Sequence, residues 1–289
     1  MSIKEILKNA KKELSELEIP AVDAELMLAH VLGASRMDLH AREFILNPEQ
    51  NELFQEMVQA RKSGTPTQYL TGEAPFRYLT FSVGSGVLIP RPETELLVDA
   101  ALVEIERIQS APEISSVPDV SIVDLGAGSG AIAISIAHEA AQRKMPVHIV
   151  AVEKSASAVE WLKRNVSRHE VDVRVIQDDV SNALQGVKCD IVVANPPYIP
   201  NDTVLPDLVK ENEPHEALFG GATDGMHAPL QFIAAASRVL KNGGLLIIEH
   251  FENQSAALER ELTKEYFEIS HYTDLNNRPR WMTARRKGR

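Results

Sequence analysis

The chain reads as an α/β protein: a doubly wound, mostly parallel sheet with a small N-terminal helical-bundle domain and a β-hairpin connector. Three observations predict this. From residue 120 onward, short apolar runs alternate with stretches of helical periodicity, the pattern of parallel strands joined by crossover helices. The first sixty-odd residues carry helical periodicity throughout. Between the two, the texture changes to Thr, Pro, Gly and aromatic residues. The expected organisation is a helical domain over 1–63, a connector over 64–91 and the main domain over 92–289.

Ile3, Ile6, Leu7, Ala10, Leu14 and Leu17 recur at helical spacing, and Pro20 closes the segment. A second amphipathic run covers 21–32 before Gly33. A third starts after Asn47-Pro48 and carries Leu53, Phe54, Met57 and Val58. In the connector, the alternating run 76–83 predicts a hairpin. A helix over 93–108 then precedes a polar linker, 109–119, which contains Pro112 and Pro118. Strands are expected over 120–125, 147–152, 171–176, 191–194 and 244–249, and helices over 131–143, 156–168 and 229–240. Two final extended segments, 267–272 and 280–284, predict an antiparallel pair at one edge.

Composition bounds the function. With 289 residues, 44% apolar and 25% charged, the chain is neither disordered, collagen-like nor a coiled coil. No apolar stretch reaches the roughly 18 residues of a spanning helix, since the longest candidate, 122–137, carries Asp124 and three glycines. Met1-Ser2-Ile3-Lys4-Glu5 places charges where a secretory signal needs its apolar core, so a cytoplasmic protein is expected. The lone Cys189 supplies neither an internal disulfide nor a CxxC zinc cluster, and no metal is expected. Acidic residues outnumber basic ones 41 to 30, and the net charge of −11 opposes non-specific binding to nucleic acid. Arg278, Arg280, Arg285, Arg286, Lys287 and Arg289 cluster at the C-terminus and read as a solvated tail.

The first chemical signal is Gly126-Ala127-Gly128-Ser129-Gly130, a strand-to-helix turn where the backbone can approach a ligand closely. The string also fits a dinucleotide fingerprint, Gly126-x-Gly128-x-x-Ala131, with Glu153 ending the second strand where a ribose-binding carboxylate belongs. The loop alone does not separate two cofactors. NAD carries a pyrophosphate that wants amide donors, whereas S-adenosylmethionine carries a sulfonium and an ammonium that tolerate a carboxylate, and Asp124 favours the cationic ligand.

The second signal is Asn195-Pro196-Pro197-Tyr198, directly after the apolar run 190–194 and so at the carboxyl end of a strand. A planar amide or nucleobase nitrogen is a poor nucleophile, because its lone pair is delocalised. Two acceptors that take its two N–H bonds draw the lone pair out of the plane. Asn195 offers a side-chain oxygen and Pro196 a backbone carbonyl, while the prolines stiffen the turn and Tyr198 can stack on a flat acceptor group. Methyl transfer then needs mainly alignment, with no dedicated base.

Together with Pro66-Thr67-Gln68-Tyr69-Leu70-Thr71-Gly72 and Phe76, with 88–95 (Leu-Ile-Pro-Arg-Pro-Glu-Thr-Glu), and with Glu213-Pro214 through Gly220-Gly221 to Asp224-Gly225, these motifs span nearly the whole chain. The chain resembles the bacterial release factor glutamine methyltransferases, which methylate the glutamine of the Gly-Gly-Gln motif in peptide chain release factors. The resemblance implies the class I S-adenosylmethionine-dependent methyltransferase fold. It implies that Gly126, Gly128 and Gly130, with Asp124, Ala127 and Ser129 in the same turn, line the methionine and ribose part of the cofactor. It also implies that Glu153 holds the ribose hydroxyls, that Asp179 meets the adenine amine, and that Val180 flanks the ring. Asn195, Pro196, Pro197 and Tyr198 would hold the acceptor glutamine, with Asn195 also touching the cofactor. Catalysis falls to Asn195, Pro196 and Tyr198. Two positions depart from the family pattern: Val180, where a larger or aromatic residue is usual, and Phe251, where glycine usually follows the strand. His250 reads as structural.

The stretch 196–226 has little regular patterning and is expected to cover the acceptor site. Its Glu211, Glu213 and Glu216 suit a basic peptide or simply a solvated loop. Alternatives are adenine-amine methylation of DNA or RNA, which the same tetrapeptide serves, and glutamine methylation of a ribosomal protein. A monomer acting on release factors, without direct contact to nucleic acid or membrane, is expected.

Overall fold

The computed structural model describes residues 2–110, 118–205 and 207–288. Most of the expected linker 109–119, Pro112 included, lies outside the described residues, as does Arg289. The chain divides into two compact units: residues 1–73, 83–85 and 205–212 form one, and 74–82, 86–204 and 213–289 the other.

The first unit is helical. Helix α1 (Ile3–Ser15) starts at a capping box in which the Ser2 side chain accepts from the Glu5 amide and the Glu5 carboxylate from that of Ser2. It ends five residues before Pro20, because Glu18 adopts a positive φ and the Ile19 amide closes back onto the Leu14 carbonyl. Leu17, expected on the apolar face, is therefore exposed. Helix α2 (Val22–Leu32) stops at Gly33 in the left-handed conformation. Short α3 (Asp38–Ala41) follows, then α4 (Pro48–Lys62), whose Asn47 cap pairs reciprocally with Gln50. Phe54, Met57 and Val58 of α4 join Leu14, Met27 and Leu28 in one core, while Leu53 stays outside. A buried ion pair crosses that core, the Arg61 guanidinium donating to Asp23 at 2.7 Å. The unit continues through α5 (Thr67–Thr71) and takes in α9 (Asp207–Asn212), where Asn212 donates to the Gly64 carbonyl.

The hairpin starts three residues earlier than its alternation suggests, as β1 (Glu73–Phe76) and β2 (Leu79–Ser82). A 3-10 turn (Pro92–Thr94) then leads into α6 (Glu95–Gln109). The main sheet follows: β3 (Val120–Leu125), α7 (Ala131–Gln142), β4 (Val147–Glu153), α8 (Ala156–His169), β5 (Val173–Gln177), β6 (Cys189–Ala194), α10 (His215–Leu218), α11 (His227–Val239), β7 (Leu240–Glu249), α12 (Ser255–Glu265), β8 (Tyr266–Thr273) and β9 (Pro279–Arg286). The seven strands lie in the order β5-β4-β3-β6-β7-β9-β8, the first five parallel and the last two antiparallel. Val123 and Leu125 of β3, Val192 and Ala194 of β6 and Leu246 and Ile248 of β7 pack with α11 and α12. Strand alternation sends Ile122, Ile191 and Ile247 to the other face, so the sheet is doubly wound as expected.

Helix α12 escaped the sequence reading because it buries only Leu258 and Leu262, too sparse a pattern to stand out. The C-terminal basic cluster is not a solvated tail. Arg285 and Arg286 belong to β9; Arg285 forks onto the Glu104 carboxylate at 2.9 and 3.0 Å, and Arg286 is buried against the Ser237 and Glu265 carbonyls. No helix among the described residues is long and apolar enough to cross a membrane.

Candidate functional site

Register places the candidate residues in one row. Leu125 pairs with Val152 on one side and with Ala194 on the other, and Ala194 pairs in turn with Ile248. The residues that follow these positions, Gly126, Glu153, Asn195 and Glu249, therefore emerge level with one another at the carboxyl edge of the sheet. Strand order reverses between β3 and β6, and that switch point is where an open α/β sheet leaves a crevice.

The crevice here is a cavity of about 430 Å³, within the usual range for small-ligand sites. Of the residues singled out in the sequence, Gly126, Gly128, Glu153, Asp179, Val180, Asn195 and Pro197 line it. Gly128 has φ +56 and open space where a Cβ would point, so the turn presents bare backbone to the cavity. Gly130 serves packing instead: it caps α7 at φ +85, and a Cβ there would strike Leu162 and Ile134. Glu153 is nearly buried and holds the turn itself, with Oε2 accepting from the Gly128 amide at 2.9 Å and Oε1 from the Ser155 amide at 2.8 Å. Asp179 is exposed, and hydrogen bonds from Ser181 hold its carboxyl below the usual range, so it faces the cavity as an acceptor.

Asp124, Ala127, Ser129, Gly130, Pro196 and Tyr198 do not line the cavity. Asp124 is fully buried behind the glycine turn; Oδ2 accepts from the Ala133 amide at 3.1 Å, and Oδ1 has no partner among the described residues. Burial pushes its carboxyl up to about 7. Ser129 is buried, its carbonyl accepting from Asn165. Pro196 is buried inside the turn, and among the described residues nothing donates to its carbonyl. Tyr198 points away from the cavity into a polar cluster. Its hydroxyl donates to Glu249 Oε1 at 2.9 Å, and burial beside that carboxylate raises its pKa. Its ring lies 6.3 Å from that of Phe251, so the departure at 251 packs beside the tetrapeptide.

The sequence reading missed several groups. Thr94 links Asn195 to Glu249, with Asn195 Nδ2 donating to Thr94 Oγ1 at 3.1 Å and Thr94 donating to Glu249 Oε2 at 2.7 Å. Gln254 clamps the exit of the turn, donating to the Tyr198 and Asp224 carbonyls. A strand-end carboxylate was the available signal for Glu249, as it was for Glu153. The loop 196–226 is less irregular than expected: it contains α9 and α10, and Ile199 exchanges backbone bonds with Leu218 and Gly220. Its Glu213 is no solvated acid. It is buried, accepting from the Ile89 amide at 3.1 Å and from Arg91 at 2.6 Å. His250 is buried with its pKa lowered and Nδ1 on the Phe251 carbonyl, as a structural histidine should be. A larger hollow of about 760 Å³ lies beside α11 and α12; none of the expected residues lines it, and Lys188, Arg238 and Arg286 there donate to backbone carbonyls.

The acceptor set suits a cationic cofactor with a ribose. The unpaired Asp124 oxygen, Glu153 and Asp179 put three carboxyl groups in and behind one cavity. A dinucleotide pyrophosphate would be repelled there, whereas a sulfonium is attracted by the negative field, and hydroxyl and amine groups have the Glu153 and Asp179 carboxylates to donate to.

Comparison with known proteins agrees. Residues 5–72 match the family described as PrmC N-terminal domain, and 109–215 the Methyltransferase small domain. The release factor glutamine methyltransferase of Mycolicibacterium smegmatis is 38% identical over 277 residues, 93% of this chain and 92% of that protein. That of Coxiella burnetii is 36% identical over 291 residues, 99% of both chains. Among solved structures, a putative class I S-adenosylmethionine-dependent methyltransferase from Listeria monocytogenes covers 98% of this chain and 86% of its own at 14% identity and a TM-score of 0.50. A 16S rRNA methyltransferase from T. thermophilus, in complex with AdoMet and guanosine, covers 74% of this chain and 50% of its own at 19% identity and a TM-score of 0.51. Both share the fold.

Proposed function

The chain belongs to the release factor glutamine methyltransferase family, and on that premise we propose that it methylates the side-chain amide nitrogen of the glutamine in the Gly-Gly-Gln motif of peptide chain release factors, using S-adenosylmethionine. The observation that carries this reading is the register that sets the glycine turn and Asn195 side by side at the switch point. S-adenosylmethionine, when bound, supplies the activated methyl group. Gly126 and Gly128 line its methionine and ribose end, Glu153 accepts from the ribose hydroxyls, and Asp179 accepts from the adenine amine over Val180. Asn195 Oδ1 and the Pro196 carbonyl take the two N–H bonds of the acceptor amide, which turns its lone pair toward the methyl group. Pro197 walls the slot. Tyr198, drawn to Glu249, supports the turn from behind rather than stacking on the amide.

The helical unit supplies the surface that tells one protein's glutamine from another's, since a bare glutamine offers too few atoms to discriminate. The net charge of −11 favours a protein acceptor over a polynucleotide. The same reading has the enzyme act as a cytoplasmic monomer. Mass spectrometry of purified release factor after incubation with enzyme and cofactor tests it: one methyl group on the Gly-Gly-Gln glutamine is expected, and methylated adenine in a parallel nucleic acid incubation, with the factor unmodified, would overturn it.

Glu153→Ala is expected to weaken cofactor binding by about 2 kcal/mol, the worth of a hydrogen bond to a charged group. The loss has two sources, the ribose contact and the Gly128 amide that Glu153 now holds. Titration calorimetry reads it, and an unchanged affinity removes Glu153 from the site.

A further inference from the structure

Asn195 and Tyr198 are both anchored to one side chain that does not line the cavity. Glu249 ends β7 fully buried, with Oε1 accepting from the Tyr198 hydroxyl and Oε2 from Thr94 Oγ1. Thr94 Oγ1 in turn accepts from Asn195 Nδ2. Proton accounting gives this chain a direction. A threonine hydroxyl has one proton, and here it goes to the carboxylate. Asn195 must then turn its NH2 toward Thr94, which leaves Oδ1 as the end that faces the cavity. An acceptor is what the N–H of a substrate amide requires.

Protonation of Glu249 would reverse the chain. A proton on Oε2 points at Thr94 Oγ1 and frees the threonine proton from the carboxylate; the asparagine gives that buried proton an acceptor by presenting Oδ1 to it. The NH2 group then faces the cavity, donor against donor, and the substrate amide loses its partner.

We propose that Glu249 is a positioning residue for methyl transfer, acting through Thr94 to hold Asn195 with its carbonyl oxygen toward the acceptor amide. The proposal rests on the glutamine methyltransferase reading above and adds to it the group that selects the active orientation of Asn195. The charged and titratable groups around Glu249 are Tyr198 from the turn, Glu93 from the 3-10 turn and Arg280 from β9. Glu93 raises and Arg280 lowers its pKa; burial outweighs both and pushes the carboxyl up to about 7. Glu249 thus takes up a proton as pH falls through that value, so turnover falls on the acid side and is restored above it.

The test uses full-length enzyme and intact release factor, both factor and cofactor saturating, so that effects of Asp124 on cofactor binding drop out. Thr94→Val keeps the side-chain shape without the hydroxyl; it should lower turnover about tenfold or more while cofactor affinity by calorimetry stays within about twofold. Thr94→Ser restores the hydroxyl and should return turnover to within about threefold of wild type. Glu249→Gln offers one acceptor oxygen to two hydroxyls; its turnover should be low and its acid limb absent. Wild-type turnover in Thr94→Val, equal losses in Thr94→Ser and Thr94→Val, or an acid limb that survives in Glu249→Gln would each overturn the proposal. A wild-type enzyme that leaves the factor unmethylated would instead overturn the functional reading, and the proposal with it.

Discussion

Asn195→Ala is expected to lower turnover by about 10²–10³-fold, the usual loss for one preorganised hydrogen-bonding group aimed at the reacting centre. Asn195 sits where β6 gives way to the turn, level with the glycine turn after β3. Its Nδ2 is tied to Thr94, so one end of the side chain is held by the scaffold and, on the proposed reading, the other is left for the substrate amide. Alanine removes both. The cavity walls made by Gly126, Gly128, Glu153 and Val180 do not depend on this side chain, so cofactor affinity should fall far less than turnover. Single-turnover methylation of release factor, beside cofactor calorimetry, reads the two effects separately. Near-normal turnover would remove Asn195 from the chemistry, and a parallel collapse of both quantities would make its role structural.

What the sequence disclosed divides along physical lines. The strands and the long helices of the sheet were legible because each carries a dense apolar pattern, as in Val120–Leu125 or Ile191–Ala194, and register then brought the strand-end residues together. The two motifs were legible for the same reason: Gly126 to Gly130 and Asn195 to Tyr198 follow strands directly, so their position in the fold is set by the strand before them. Contacts between segments far apart in the chain left no local trace. Thr94 and Glu249 are 155 residues apart, and Ile89 and Glu213 are 124 apart. Nothing in the composition of 211–216 distinguishes buried Glu213 from its exposed neighbour Glu211. Arg286 reads as one more terminal cation until β9 pairs with β7 and β8 and carries it inside. Where Tyr198 directs its hydroxyl left no local trace either, since that depends on where Glu249 ends the neighbouring strand.

Gly225→Ala is expected to reduce turnover about 10²-fold, comparable with a 1 Å misplacement of reacting groups, while leaving cofactor affinity nearly intact. Gly225 has φ +69, which alone costs an L-residue about 1–2 kcal/mol. Its surroundings add a second penalty. A Cβ there would come 2.4 Å from the Tyr198 carbonyl oxygen and 2.9 Å from Ile199 C and Pro200 N, all backbone atoms at the exit of the turn that starts at Asn195. The Tyr198 carbonyl is already held by Gln254, which also grips Asp224, so the two backbones cannot separate without breaking that clamp. The turn must shift, and Asn195 and Pro196 at its entrance shift with it. Gly186→Ala supplies the comparison, because Gly186 has φ +75 with nothing within 4 Å of where a Cβ would stand. Both variants should lose the stability that a positive φ costs, measured as a fall in denaturant midpoint that is larger at 225, where the steric clash adds to it; only Gly225→Ala should lose methyl transfer. Equal turnover in the two variants would mean that the loop through Gly225 covers the turn without holding it in place.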